Sequence, residues 1–128
     1  MAKVAIVGAG SLVFTRTVVG DLLQQEATED VEVHLVDIDP DRLERARQAV
    51  ERLAARAGRS VPVSAYRDCA TGVSGCDYVI NTIQVGGKGA TLVDFDLPEK
   101  FGVRQTIADT HGIGGISRAM STAVCLPR

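Results

Sequence analysis

The residues best suited to bind a ligand are the glycines that follow the first apolar run of the chain, Gly8 and Gly10. Gly8 permits a tight turn out of a strand, and Gly10 has no Cβ, so a pyrophosphate can approach the backbone there. The amides that open the next helix, at Ser11 and Leu12, would point at that anion, and the helix dipole would add to the attraction. The third position of the usual G-x-G-x-x-G pattern is Val13, so the match to a dinucleotide-binding turn is incomplete.

An acidic residue ends the second apolar run, as such a turn requires. Asp37 lies 27 residues beyond Gly10, somewhat farther than the spacing of about 20 that is usual. A carboxylate there would bind a ribose 2′-hydroxyl and repel a 2′-phosphate, which favours NAD over NADP, although Arg42 and Arg45 could weaken that preference. The alternative is that the glycines form only a strand-to-helix turn and that Asp37 is a second helix cap beside Asp39.

Two later segments also carry polar side chains where a ligand could meet them. A fourth strand is predicted over residues 77–85, and the carboxyl ends of strands face the ligand crevice in a doubly wound sheet. Asn81, Gln84 and Val85 are assigned to the cofactor site on this ground, with a buried amide satisfied by the backbone as the equal alternative for Asn81. Asp109 is a candidate acid–base group, and the alternative for it is a loop residue that caps a helix.

Short β-branched runs alternate with longer helical patterns along the chain. This alternation predicts an α/β fold, a Rossmann-like doubly wound parallel sheet with strand order 3-2-1-4. Asp39 and Pro40 predict the start of the clearest helix, Gly58 predicts its end, and Pro62 places the third strand at a sheet edge. The predicted strands are residues 3–7, 31–37, 61–66 and 77–85, with a helix over 11–24 and a short turn or helix over 69–75.

Composition limits the class of protein. A length of 128 residues suits a single domain over residues 1–128. With 14 basic and 16 acidic residues the net charge is −2, which argues against a nucleic-acid binder and against a polybasic membrane-surface protein. No apolar run reaches the length of a membrane span. The three cysteines show neither a C-x-x-C pair nor a zinc spacing, so we expect no metal site and a cytoplasmic location.

Four segments together resemble glycoside hydrolase family 4, and within it the branch of melibiase-like α-galactosidases and α-glucosidases. They read GAGSLVFTRTVVGDLL at 8–23, VDID at 36–39, DYVINTIQVGG at 77–87 and RQTIADT at 104–110. The likeness extends over about residues 3–122. The second and fourth segments are not expected in a plain dehydrogenase.

The resemblance implies an unusual hydrolysis that uses bound NAD and a divalent metal, commonly manganese. Hydride leaves sugar C3 for NAD, a base removes the C2 proton, the aglycone is eliminated, water adds and the hydride returns. The common scheme of two carboxylates does not apply to this group. By the resemblance, Gly8, Gly10, Ser11 and Asp37 would hold the cofactor, Asn81 would lie near the sugar or the nicotinamide ribose, and Asp109 would lie at the substrate edge.

The resemblance also implies a chain that stops before the second domain of the family. Family members are several times longer, and their metal-binding Cys and His and catalytic Tyr lie in that later part, so Cys125 is not assigned as a metal ligand. We therefore expect a domain that binds NAD, that acts on glycosides only with a completing domain, and that forms homo-oligomers through an exposed sheet edge. The alternatives are the cofactor domain of an NAD-dependent hydroxy-acid dehydrogenase and a non-catalytic nucleotide-sensing module.

Overall fold

The computed structural model describes residues 1–28, 30–104 and 112–123. The chain divides into two compact units, Met1–Thr82 and Ile83–Arg128. The first unit contains β1 (Ala2–Val7), α1 (Leu12–Gln24), a 3₁₀ turn (Glu26–Thr28), β2 (Val31–Val36), α2 (Pro40–Arg56), β3 (Val63–Tyr66), α3 (Cys69–Val73) and β4 (Tyr78–Asn81). The second contains α4 (Gly87–Glu99) and α5 (Ile113–Ala123). A single NAD-binding domain over residues 1–128 stays a prediction.

The first unit is built on a parallel sheet of four strands in the order β3-β2-β1-β4. In the ladder, Val7 of β1 is paired with Val36 of β2 on one side and with Asn81 of β4 on the other. Because all strands run in the same direction, their carboxyl ends meet at one edge of the sheet. The predicted α/β fold and the predicted order 3-2-1-4 are both confirmed.

The two central strands and two helices supply the core. Val4 to Val7 of β1 are all buried, as a parallel strand between two neighbours requires. Helix α1 buries one stripe at a spacing of four residues, and α2 buries a longer one. The one polar member of the α1 stripe, Thr15, is satisfied because its hydroxyl donates to the Ala9 carbonyl at 2.8 Å. The stripes consist of Thr15, Val19 and Leu23 in α1, and Leu43, Ala46, Ala49, Val50 and Ala54 in α2.

Helix α2 begins where its sequence predicts. The Asp39 carboxylate accepts hydrogen bonds from the amides of Asp41 at 2.9 Å and Arg42 at 3.0 Å, and Pro40 occupies the first helical position. The bond from the Arg42 amide is the main reason that the pKa of Asp39 lies below its usual 3.8. Gly58, with a φ of +67°, follows the end of the helix.

Two strand boundaries and one helix differ most from the sequence-based expectation. β4 ends at Asn81 instead of residue 85, because its neighbour β1 ends at Val7 and offers no further ladder partner. β3 begins at Val63 instead of residue 61, after a proline that has no N–H to donate. The helix α4 was not expected at all, because the glycines at its start have the lowest helix propensity after proline.

The cap of α2 makes stability depend on pH. Because the pKa of Asp39 is lower in the folded than in the unfolded chain, its carboxylate stabilises the fold at any pH above the unfolded pKa. This stabilisation is lost as the pH falls through the folded-state pKa. We therefore expect the fall in Tm between neutral pH and about pH 2.5 to be smaller in Asp39→Asn, which still caps but does not titrate there. Thermal unfolding followed by circular dichroism measures this. The control Asp41→Asn removes the same charge from the same turn; an equally reduced fall in both variants would contradict the prediction.

Candidate functional site

β1 passes into α1 through a tight turn that is bonded to the end of β2. Gly8 has a φ of +89°, which L side chains rarely adopt. The amides of Gly8 and Ala9 both donate to the Val36 carbonyl, at 2.9 and 3.0 Å, and the Ser11 amide donates back to the Gly8 carbonyl at 3.0 Å. The turn is therefore fixed at the sheet edge where the carboxyl ends of the strands meet.

Gly10 lies directly against the acid of β2. Its amide donates to Asp37 Oδ2 at 2.7 Å. A Cβ on Gly10 would lie 2.5 Å from that oxygen and 2.9 Å from the Cβ of Arg42, closer than real Cβ contacts come. The sequence pattern assigns Gly10 to the close approach of a pyrophosphate. The structure adds a second reason for glycine, since the acid itself occupies the space that a side chain would need.

Asp37 is not a second cap of α2. Its Oδ1 accepts from the Asp39 amide at 3.0 Å, while Asp39 alone receives the amides of the first helical turn. Asp37 therefore joins the β1–α1 turn to the segment that leads into α2. A carboxylate can accept about four hydrogen bonds, and the described residues donate two to this half-buried side chain, which leaves two acceptor positions for a hydroxyl donor.

The amino end of α1 lacks a capping side chain. Ser11 is the N-cap residue, but its hydroxyl makes no cap hydrogen bond, and the first turn contains no acidic residue. In the described part of the chain, the first amides of the helix, from Leu12 onward, thus receive no side-chain acceptor. Open amides and the positive end of the helix dipole together form an anion site.

β4 brings two further polar residues to the same edge. Asn81, assigned to the cofactor site from sequence, is the last residue of β4 and is exposed beside Val7. The next residue, Thr82, was missed by sequence reasoning. Its hydroxyl lies 2.9 Å from the Val7 carbonyl and 3.1 Å from the Gly8 carbonyl, so it attaches β4 to the glycine turn. Only the strand pairing reveals this role, because no local pattern marks the threonine.

Gln84 and Val85 belong to the second unit. The Gln84 amide donates to Thr91 Oγ1 at 2.9 Å, and that hydroxyl lies 3.2 Å from the Gly87 carbonyl, so Gln84 stabilises the start of α4. A cofactor contact of Gln84 or Val85 stays a prediction. Asp109 lies outside the described residues, and its role at the substrate edge also stays a prediction.

Residues 1–28, 30–104 and 112–123 contain no group of three or more His, Cys, Asp and Glu side chains arranged to hold a metal ion. No helix in those ranges has both the length and the apolar character that crossing a bilayer requires.

The sheet order, the glycine turn after β1 and the acid at the end of β2 together define a Rossmann-like domain. The sequence pattern of the family described as Family 4 glycosyl hydrolase matches residues 3–126. The chain therefore belongs to this family, which confirms the resemblance seen in its motifs.

Known proteins agree with this assignment over nearly the whole chain. An α-galactosidase of Bacillus subtilis (strain 168) is 46% identical over 123 residues, which are 95% of this chain and 28% of that protein. An α-galactosidase of Rhizobium meliloti (strain 1021) is 34% identical over 89% of this chain and 23% of its own length. A 6-phospho-β-glucosidase of Thermotoga maritima, solved with NAD and glucose-6-phosphate, superposes with a TM-score of 0.75 at 27% identity, over 96% of this chain and 29% of that one. This chain thus spans about a quarter of the length of these relatives.

Because Gly10 contacts Asp37, replacing glycine by alanine should have opposite effects on stability at Gly10 and at Gly20. Gly10→Ala places a Cβ against Asp37, and we expect it to lower the free energy of unfolding by about 1–3 kcal/mol. Gly20→Ala lies in the middle of α1 with no atom within 4 Å of the added Cβ, and we expect a gain of about 0.5–1 kcal/mol. Urea unfolding measures both; equal effects at the two positions would disprove the crowding at Gly10.

Proposed function

We propose that this chain is the NAD-binding N-terminal domain of a family 4 glycosidase that acts on α-galactosides or related glycosides. The observation that carries the proposal is the juxtaposition of the Gly10 amide and the Asp37 carboxylate at the carboxyl edge of the sheet. The B. subtilis and R. meliloti relatives support the substrate class, and the T. maritima structure supports the cofactor. These matches do not favour a hydroxy-acid dehydrogenase or a nucleotide-sensing module.

The residues present fit the cofactor. The pyrophosphate would lie against the open amides of α1 from Leu12 onward, where Gly10 presents no side chain. The two open acceptor positions of Asp37 would receive the hydroxyls of the adenosine ribose. A 2′-phosphate at that place would meet the same carboxylate, so electrostatic repulsion would select NAD against NADP.

NAD, held by the glycine turn and Asp37, would supply the hydride acceptor and donor that the reaction at sugar C3 needs. The work of this chain is to hold and orient the cofactor. Asn81, exposed at the same sheet edge as the glycine turn, would contact the sugar or the nicotinamide ribose. The described residues offer no ligand set for manganese, so we assign no step of the reaction to a metal held by them.

The exposed edge strand β4 supports the proposal that this chain pairs with further chains or domains. β4 lies at one end of the strand order, and its side chains Tyr78 and Val79 are 64% and 52% exposed. An exposed apolar edge strand is a site at which another chain or domain can pair. We propose a homo-oligomer in the cytoplasm, with a completing domain for glycoside binding and without nucleic-acid or membrane partners.

The cofactor proposal predicts how Asp37 controls binding. We expect saturable binding of NAD by calorimetry, with NADP at least about tenfold weaker because its 2′-phosphate meets the carboxylate. Asp37→Asn can keep an oxygen for the Gly10 amide, but it loses the charge and the second oxygen, which accepts from the Asp39 amide, so it should weaken NAD by about tenfold and abolish the preference against NADP.

The matched control is Asp41→Asn, which removes an exposed charge from the first turn of α2 without touching Gly10. It should bind both nucleotides as the unchanged chain does. Absence of NAD binding in the folded chain, or an equal loss in both variants, would overturn the cofactor proposal.

Whether glycoside hydrolysis needs a completing domain can be measured separately from NAD binding. We expect the purified 128-residue chain, supplied with NAD and Mn²⁺, to release no aglycone from an aryl α-galactoside above the rate without protein. The reason is that the described residues hold no metal ligand set. Manganese-dependent, saturable turnover by the pure chain would contradict this expectation.

A further inference from the structure

A second concave site lies on the first unit, between helices α1 and α2. It has a volume of about 190 Å³. We name it the arginine cleft, because half of its lining residues are arginines. Its lining consists of Leu12, Arg16, Ala49, Arg52, Leu53 and Arg56.

Among the described residues, no acidic side chain pairs with the arginines of the cleft. In the described ranges no carboxylate lies within ion-pair distance of Arg16, Arg52 or Arg56. Arg47 on the same helix differs, since it pairs with Glu44 at 2.8 Å and also with Glu51. Arg52 and Arg56 are four residues apart on α2, a spacing at which like charges repel. Helix α2 thus places two positive charges at the arginine cleft that no described carboxylate pairs with.

The floor of the arginine cleft is apolar. Leu12 and Leu53 pack against the hydrophobic core, and Ala49 is buried. Aliphatic arginine stems commonly cover such a surface while their charged ends reach into water, and this accounts for the lining. It does not by itself explain why three arginine side chains, none of which has an ion-pair partner among the described residues, line the same cleft. A guanidinium is weakly hydrated and binds carboxylate or phosphate through two parallel hydrogen bonds.

We propose that the arginine cleft binds a small organic anion with two or more negative charges, either a phosphate ester or a polycarboxylate. With a volume of about 190 Å³ between two helices, the cleft suits a small metabolite, and its exposed arginines leave it accessible from solvent. The site is separate from Asp37 and does not depend on the proposed NAD function, although Leu12 borders both.

The test uses glycerol 3-phosphate and citrate as probes, titrated into the full chain at low salt and followed through backbone amide shifts in nuclear magnetic resonance spectra. We expect saturable shifts centred on the amides of residues 12–16 and 49–56, which weaken as salt is added. The probe that binds more tightly identifies the phosphate or the carboxylate class. The double variant Arg52→Gln/Arg56→Gln should raise the Kd at least about tenfold, since charge-assisted hydrogen bonds are lost.

The matched control is Arg45→Gln/Arg67→Gln, which likewise removes two exposed charges, both from positions outside the cleft. Glutamine has nearly the helix propensity of arginine, and circular dichroism verifies that each variant is folded. The control should leave the Kd within about twofold, because the cleft keeps all three of its arginines.

Four results would overturn the proposal. The first is no amide shift with either probe up to about 10 mM. The second is displacement of the probe by NAD, which would place the anion at the glycine turn. The third is an equal effect of Arg45→Gln/Arg67→Gln and Arg52→Gln/Arg56→Gln, which would show attraction to net charge alone. The fourth is a shift of the same amides with protein concentration and no probe, which would assign the cleft to a second copy of the chain.

Discussion

The hydrogen bond from the Gly10 amide to Asp37 is the interaction on which the first unit depends at its functional edge. It joins the exits of β1 and β2, and the second oxygen of Asp37 carries the connection on to the Asp39 amide at the start of α2. The directions of both helices are therefore set by one carboxylate. Because its Oδ2 would lie 2.5 Å from a Cβ on Gly10, any side chain at that position would have to displace the turn, the acid or both. The feature that suits a nucleotide is thus also a packing constraint of the fold.

The parts of the structure that the sequence predicts are those that local chemistry decides. Asp39 followed by Pro40 can cap a helix wherever the pair occurs, so the start of α2 is readable without its neighbours. The apolar runs that became β1 and β2 are buried on both faces, which fixes them as central strands. Right-handed crossovers then leave few ways to order the sheet, and 3-2-1-4 follows.

The parts that sequence reasoning missed depend on residues that are distant in the chain. Thr82 matters because Val7 and Gly8, 74 and 75 positions earlier, present carbonyls to it. Asp94 is buried within α4, and only its ion pair with Arg118, 24 residues later, makes that burial tolerable. The end of β4 is likewise set by where β1 stops. The arginine cleft belongs to the same class, since α2 alone shows only an exposed charged face until α1 contributes Leu12 and Arg16.

Fold and family answer different questions about this chain. A glycine turn, an open helix end and an acid on β2 bind a dinucleotide in enzymes of many reactions, so the Rossmann-like architecture alone does not choose between a glycosidase, a dehydrogenase and a sensor. The choice comes from the family pattern over residues 3–126, which extends through segments that the nucleotide turn does not need. Because Asp37 serves both the fold and the proposed cofactor site, its two roles must be tested with different substitutions. Its complete removal would loosen the turn and the ribose site together, whereas asparagine can keep one of the two oxygens that the fold uses, so it disturbs the turn less while it removes the charge that a cofactor would meet.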